Sequence, residues 1–269
     1  MTTAELRRGD QARAAGQGRI VRARDVLASE WTKLRSVRST YWALIVAAAV
    51  SVAGSALAAV PASKGAPLSD PVAFSFIGWA EYPVLAVGIL GVLTFTSECA
   101  TGQIRTTFTA VPRRLAVLAA KTAVVAALAL VFGELLAVAS FSLTQAILSR
   151  HGQGVALSHP GVPGAVLAAG FVLVVVAATG VGLGAAIRHT AGAIAVLPVV
   201  FYLPLALLSL PAPWNHRIDR FTLPVAAYQV VALHPATNLL APALSMLVLI
   251  SWPAIILAIA AILITRRAA

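Results

Sequence analysis

Long apolar runs separated by short polar stretches set the rhythm of this chain. A helix that crosses a bilayer needs about 20 consecutive, mostly apolar residues. Six stretches supply them, at about residues 41–60, 74–96, within 115–148, 163–187, 191–210 and 243–264. The third is longer than one crossing requires, so it is expected to tilt or to project beyond the hydrocarbon. Pro198, Pro204 and Pro253 fall inside runs and predict kinks there. The pattern therefore predicts an all-α membrane protein with six transmembrane helices.

Two shorter segments carry a different pattern. Between residues 20 and 41, Ile20, Ala23, Leu27, Trp31, Leu34 and Tyr41 recur at steps of three or four, while Arg22, Asp25, Ser29, Lys33 and Ser36 fall opposite. This predicts an amphipathic helix over 20–40, lying in the cytoplasmic membrane interface with Leu27, Trp31 and Leu34 on its apolar face and Trp31 at headgroup depth. Residues 222–233 form an apolar run too short to span, set between Pro224 and Pro235. Such a run reads as a short re-entrant or interfacial element, expected on the outer side between the fifth and sixth helices. After the second run comes a compact polar loop. Gly102 breaks the chain there, residues 103–110 predict a short helix, and Pro112 ends it. Its threonines make that helix weak in isolation, which suits a segment that docks on a partner.

Composition agrees with the spans. Hydrophobic residues make up 59% of the chain, charged residues 11%, and the mean hydropathy is +0.90. Soluble domains carry about 25% charged residues, so too few polar groups are present to cover a water-facing surface. The formal net charge of +11 would suggest nucleic acid in a soluble protein, but the distribution of the basic residues gives it another meaning. With the N-terminus inside, twelve Arg and Lys residues lie on inner segments near the spans and four on outer ones: Lys64, Arg150, Arg217 and Arg220. This is the positive-inside bias, and it places both termini in the cytoplasm. Residues 1–19 read as a disordered cytoplasmic tail, 20–40 as a connecting helix and 41–269 as the membrane domain. No cleaved signal peptide is expected.

Candidate chemistry is sparse. Cys99 is the single cysteine, so neither an internal disulfide nor a cysteine-based zinc cluster can form. The five histidines do not pair with one another or with Cys99 at metal-ligand spacing, and no metal site is expected. The phosphate-loop pattern and the G-x-S-x-G nucleophile elbow are both absent from the sequence. The run from Gly180 to Gly184 lacks the preceding strand and final spacing of a dinucleotide fingerprint; its two outer glycines, four residues apart, predict close helix packing instead. Glu81 and Glu134 fall inside predicted spans. A carboxyl group at that depth must face a partner, a cavity or water, which makes both candidates for a substrate pathway. The chain is expected not to be an enzyme; any work it does draws energy from a partner or an ion gradient.

Two motifs resemble a known family. The segment SEWTKLRSVRSTYW at 29–42 is similar to the cytoplasmic lead-in of actinobacterial type-2 ABC exporter permeases. The segment TSECATGQIRTTFTAVPRR at 96–114 is similar to their loop after the second helix, with Cys99 where the family commonly has an aromatic residue. The resemblance implies a permease that binds no cofactor itself, works with a separate ATPase subunit carrying ATP and Mg, and pairs with a second permease subunit in a bacterial plasma membrane. It implies that Glu98, Gly102, Ile104, Arg105 and Thr106 form the ATPase-coupling loop, that residues 20–40 act as the connecting helix, and that a hydrophobic or amphipathic substrate leaves the cell. The lipid bilayer is then a partner and nucleic acid is not. Two other readings stay open on the residues alone: an ion-coupled secondary transporter using Glu134, and a membrane-embedded enzyme or non-transporting scaffold.

Overall fold

The structure is a computed structural model and describes residues 23–36, 38–79, 82–110, 114–206 and 218–266. The expected tail over 1–19, and Glu81, lie outside the described residues. Everything described is helix or connecting loop. The order is α1 (Ala23–Ser36), α2 (Arg38–Ala62), α3 (Pro71–Phe74), a 3-10 turn (Ile77–Trp79), α4 (Tyr82–Ala100), α5 (Gln103–Ala110), α6 (Arg114–Ser149), α7 (Val162–Ile187), α8 (Thr190–Ala206), a second 3-10 turn (Asp219–Phe221), α9 (Leu223–Val231) and α10 (Pro242–Arg266).

Five described stretches are long and apolar enough to cross a membrane: Thr40–Ala62, Ile77–Ala100, Arg114–Ser149, Val162–Ile187 and Pro242–Arg266. The chain is therefore a multi-pass helical membrane protein by length and composition. The expected fifth span corresponds to α8, whose 17 described residues are fewer than the roughly 20 of a typical crossing; residues 207–210, where the sequence continues the run, lie outside the described part. The expected third span is α6, and its 36 residues reach about 54 Å at 1.5 Å per residue. That exceeds a hydrocarbon core of about 30 Å, so one or both ends project.

The second span differs from its expected bounds of 74–96. Asp70 caps α3 by accepting the N–H groups of Val72 and Ala73 at 3.0 and 2.8 Å, and Pro71 occupies the first turn. The chain therefore folds over 71–79 into a short helix and a turn before α4 begins. Trp79 anchors that turn by donating its indole N–H to the Ser140 hydroxyl of α6 at 3.0 Å. A periodicity count over apolar residues does not register a capping aspartate that redirects the chain.

The core is organised around α7, of which 83% is buried over its most apolar window, against 22% for α10. It packs on α4, α6 and α10. Small residues permit this. A side chain at Gly180 would collide with the backbone carbonyl of Gly88, and one at Gly184 would lie 2.7 Å from the carbonyl of Val92. Here α4 and α7 touch backbone to backbone, the close approach anticipated for the 180–184 glycines. By contrast α2 and α10 keep broad apolar faces exposed, including Trp42, Ile45, Leu247 and Ile255.

Hydrogen bonds knit the loops at the end of the bundle opposite α1. Gln145 of α6 donates to the Pro71 carbonyl at 2.7 Å and accepts from the Val155 N–H at 2.8 Å. Gln153 accepts the Leu68 N–H at 3.1 Å, and Gln229 of α9 binds the backbone of Ala236 and Leu240. The short helix expected within 222–233 is present as α9, packed on α10 and α7.

Candidate functional site

At the α1 end of the bundle, four charged side chains meet. Lys121 lies seven residues into α6, with its side chain 1% exposed. Its ammonium donates to Glu30 Oε2 at 2.7 Å, to Glu98 Oε1 at 2.7 Å and to the Thr94 carbonyl at 3.2 Å. Three donors thus find three acceptors, the condition for holding a charge away from water. Lys33 closes the group from the outside, reaching Glu30 Oε1 and Glu98 Oε1 at 2.8 Å each. Two lysines and two glutamates balance in charge, so the cluster is a neutral unit.

The cluster joins four elements. Glu30 and Lys33 come from α1, Glu98 from the last turn of α4, and Lys121 from α6. The fourth tie is from α5, where the Thr107 hydroxyl lies 3.4 Å from Glu98 Oε2. Burial pulls the Lys33 ammonium toward its neutral form, but the hydrogen bonds and charges of Glu30 and Glu98 outweigh this and hold it above the usual lysine range.

The face of α1 that packs on the bundle overlaps its apolar stripe only in part. Val26 and Glu30 are buried, and Leu34 packs against the core. Leu27 and Trp31 are 38% and 46% exposed. The expected stripe is therefore split: Leu34 turns to the bundle while Leu27 and Trp31 stay on an outer face. Lys33, counted with the polar face, instead faces carboxylates of the bundle. A wheel that scores only hydrophobicity places Lys33 in solvent because it cannot see the carboxylate of Glu98 waiting on α4.

Of the residues assigned to the coupling loop, Glu98 is turned inward and 4% exposed. Gly102 ends α4 with φ of 74°, a left-handed conformation that favours glycine, and Thr106 is exposed on α5. Ile104 packs partly against the core. Arg105 sits within α5, and its side chain is not among those described. The short helix expected over 103–110 is present with those bounds.

Glu30, Lys33, Thr107 and Lys121 were not singled out as site residues by sequence reasoning. Lys121 carried a usable signal, since an ammonium inside an apolar run demands a partner. Glu134 belongs to neither end of the molecule. It lies twenty residues into α6, about 30 Å along it, with its carboxyl seated against Gly170 of α7.

At the opposite end a cavity of about 400 Å³ lies among α3, the first 3-10 turn, α4, α7, α8 and α9. Its walls are mostly aliphatic and aromatic, with Ser69 and Asp70 at one edge. Among the described residues, no group of three or more His, Cys, Asp or Glu side chains could hold a metal. No known protein family matches the chain, and no curated protein matches it.

Proposed function

We propose that this chain is the membrane-spanning permease subunit of an ATP-driven ABC exporter, energised by a separate ATPase subunit that binds ATP and Mg. The observation that carries the reading is the Glu30–Lys121–Glu98–Lys33 cluster. It fastens α1, the end of α4 and the start of α6 together, directly beside α5. A force applied to a short helix hanging between two spans is lost in loop motion unless the spans are braced there. The cluster supplies that brace, so displacement of α5 moves α4, α6 and α1 as one body. Two-motif similarity to type-2 exporter permeases points the same way, and α5 coincides with the loop the resemblance assigns to ATPase contact.

In this reading the α1 end faces the cytoplasm and α1 rests in the interface with Leu27 and Trp31 toward lipid. Helix α8 with the residues after it completes a sixth span, and α9 dips into the outer leaflet. A second permease copy or relative covers part of the exposed faces of α2 and α10. The substrate is hydrophobic or amphipathic, and the protein sits in the bacterial plasma membrane with both termini inside.

The test is to find a neighbouring reading frame that carries a phosphate-binding loop and to co-purify its ATPase product with this chain. Retention of that ATPase in detergent, and ATP hydrolysis stimulated by this chain in liposomes, supports the reading. Absence of both removes it. A second reading rests on Glu134, whose carboxyl has no hydrogen-bond partner among the described residues: an ion-coupled transporter using it as a proton site. Transport that persists without ATP and disappears in Glu134→Gln would favour that alternative.

A further inference from the structure

The cavity at the loop end has features of a built binding site rather than a packing fault. Its volume of about 400 Å³ falls within the range of about 300–1,000 Å³ typical of small-molecule pockets. Six separate elements contribute walls, α4 among them through Val84. Ala169, Val172 and Val176 line it from one stripe of α7 and cover about 10 Å of that helix. Trp79, Phe201, Tyr202 and Tyr228 add aromatic rings. Ile77 and Tyr228, both on the lining, are 52% and 48% exposed, so a route from the surface exists.

The charge of the lining is one-sided. Asp70 is 5% exposed and borders the cavity. Its oxygens take the N–H groups of Val72, Ala73 and His234. Those contacts are with neutral backbone, and among the described residues no Lys, Arg or His side chain lies within ion-pair distance of it. Among the described residues, no lysine or arginine lines the cavity. A buried carboxylate held by backbone N–H groups alone among the described residues, on the lining of an apolar chamber that also carries aromatic rings, favours a cation over an anion.

We propose that this cavity binds a hydrophobic organic cation, its apolar body against α7 and the aromatic rings and its charge directed to Asp70. The binding stands on the cavity alone; naming the ligand an exported cargo rests on the permease reading.

The probe is radiolabelled tetraphenylphosphonium, with tetraphenylborate as the anion of matching shape. Full-length protein in zwitterionic-lipid nanodiscs is titrated, without any ATPase, against empty nanodiscs. Saturable tetraphenylphosphonium binding above the empty-disc background is expected, with tetraphenylborate bound far more weakly. Asp70→Asn, whose one oxygen keeps the α3 cap on Val72 and Ala73 while giving up the His234 N–H, is expected to weaken cation binding about tenfold. Ala227→Trp and, from the opposite wall, Ala169→Leu fill the chamber and are expected to abolish saturable binding while each protein remains monodisperse. Absence of saturable binding by the unaltered protein, or full binding in both filled variants, overturns the site. Equal affinity for the borate, or unchanged affinity in Asp70→Asn, overturns the assignment of a cation. Because no ATPase is present, a null result here leaves the co-purification test of the permease reading untouched, and the reverse also holds.

Discussion

Lys121 of α6 and Glu98 of α4 lie 2.7 Å apart, nitrogen to oxygen, with 1% and 5% of their side chains exposed. They are 23 residues apart in sequence, and the helix α5 hangs in the loop between them. A buried pair of this kind is weak evidence for stability, since forming it costs desolvation on both sides. Its value is positional: it fixes where two helix ends sit relative to each other, and it brings Glu30 of α1 to the same point at 2.7 Å.

Removing one partner exposes that cost. Lys121→Met leaves two buried carboxylates to share the half-exposed Lys33, one negative charge in excess, and is expected to destabilise the protein by about 3–5 kcal/mol. Thermal unfolding in detergent measures this. The triple variant Lys121→Met, Glu30→Gln, Glu98→Gln removes the stranded charges and is expected to recover much of the loss. A triple variant as unstable as the single one would mean that packing, not charge, holds the site.

Lys33 gives the cluster a pH signature. Its value in the folded protein is raised above the ordinary 10.5, so its contribution is complete below that pH and disappears as pH rises through the raised folded value. The tie is therefore intact through the neutral range and fails only in alkali. With 41% of the side chain exposed, its worth is that of a screened surface pair, about 0–1 kcal/mol. Comparing alkaline unfolding of the unaltered protein with Lys33→Met checks this: the difference between them is expected to vanish at the highest pH.

The contact of α4 with α7 is tested at Gly180. Any side chain there meets the Gly88 carbonyl, which is backbone and cannot yield. Gly180→Val is expected to cost about 1–3 kcal/mol or more, read as a lowered unfolding temperature. Gly164 begins the same helix with nothing within 4 Å of an added methyl group. Gly164→Ala is accordingly expected to be neutral or to stabilise by about 0.5–1 kcal/mol.

These relationships show where the sequence speaks and where it does not. The spans at 40–62, 162–187 and 242–266 follow from apolar length alone, because lipid demands an unbroken helix wherever backbone crosses it. The helix α5 follows from Gly102 and Pro112. What the sequence conceals is the partner of a polar residue. Lys33 looks like part of a solvated face, and only the arrival of α4 and α6 gives it and Glu30 their shared partners. Glu98 looks like a docking residue by resemblance, yet its carboxyl is consumed inside the bundle. Asp70 lies in a loop that scores as featureless, although it caps α3 and reaches a backbone 164 residues away.

That last contact is a clasp. Asp70 joins the loop after α2 to the segment after α9 through His234 N–H at 2.7 Å. Asp70→Ala removes the cap and the clasp together. The cap alone is worth about 0.5–2 kcal/mol. Faster amide hydrogen exchange is expected in both 68–76 and 232–236, while α1 and the ion cluster stay protected. Exchange confined to 68–76 would show that the His234 contact is not holding the two segments together.

Coupling is tested at Arg105, in the middle of α5. The permease reading places this helix against the ATPase, and charge reversal there would set repulsion where attraction is proposed. Arg105→Glu is expected to insert and fold like the unaltered protein, because α5 lies outside the spans. Transport into or out of proteoliposomes is expected to fall at least about tenfold, while the ATPase alone hydrolyses ATP at its unstimulated rate. Lysine at the same position keeps the charge and is expected to retain most of the transport. If Arg105→Glu transports normally with the ATPase bound, the push does not enter through this side chain. The brace formed by Lys121, Glu30 and Glu98 would then have to receive it from elsewhere on the α1 end.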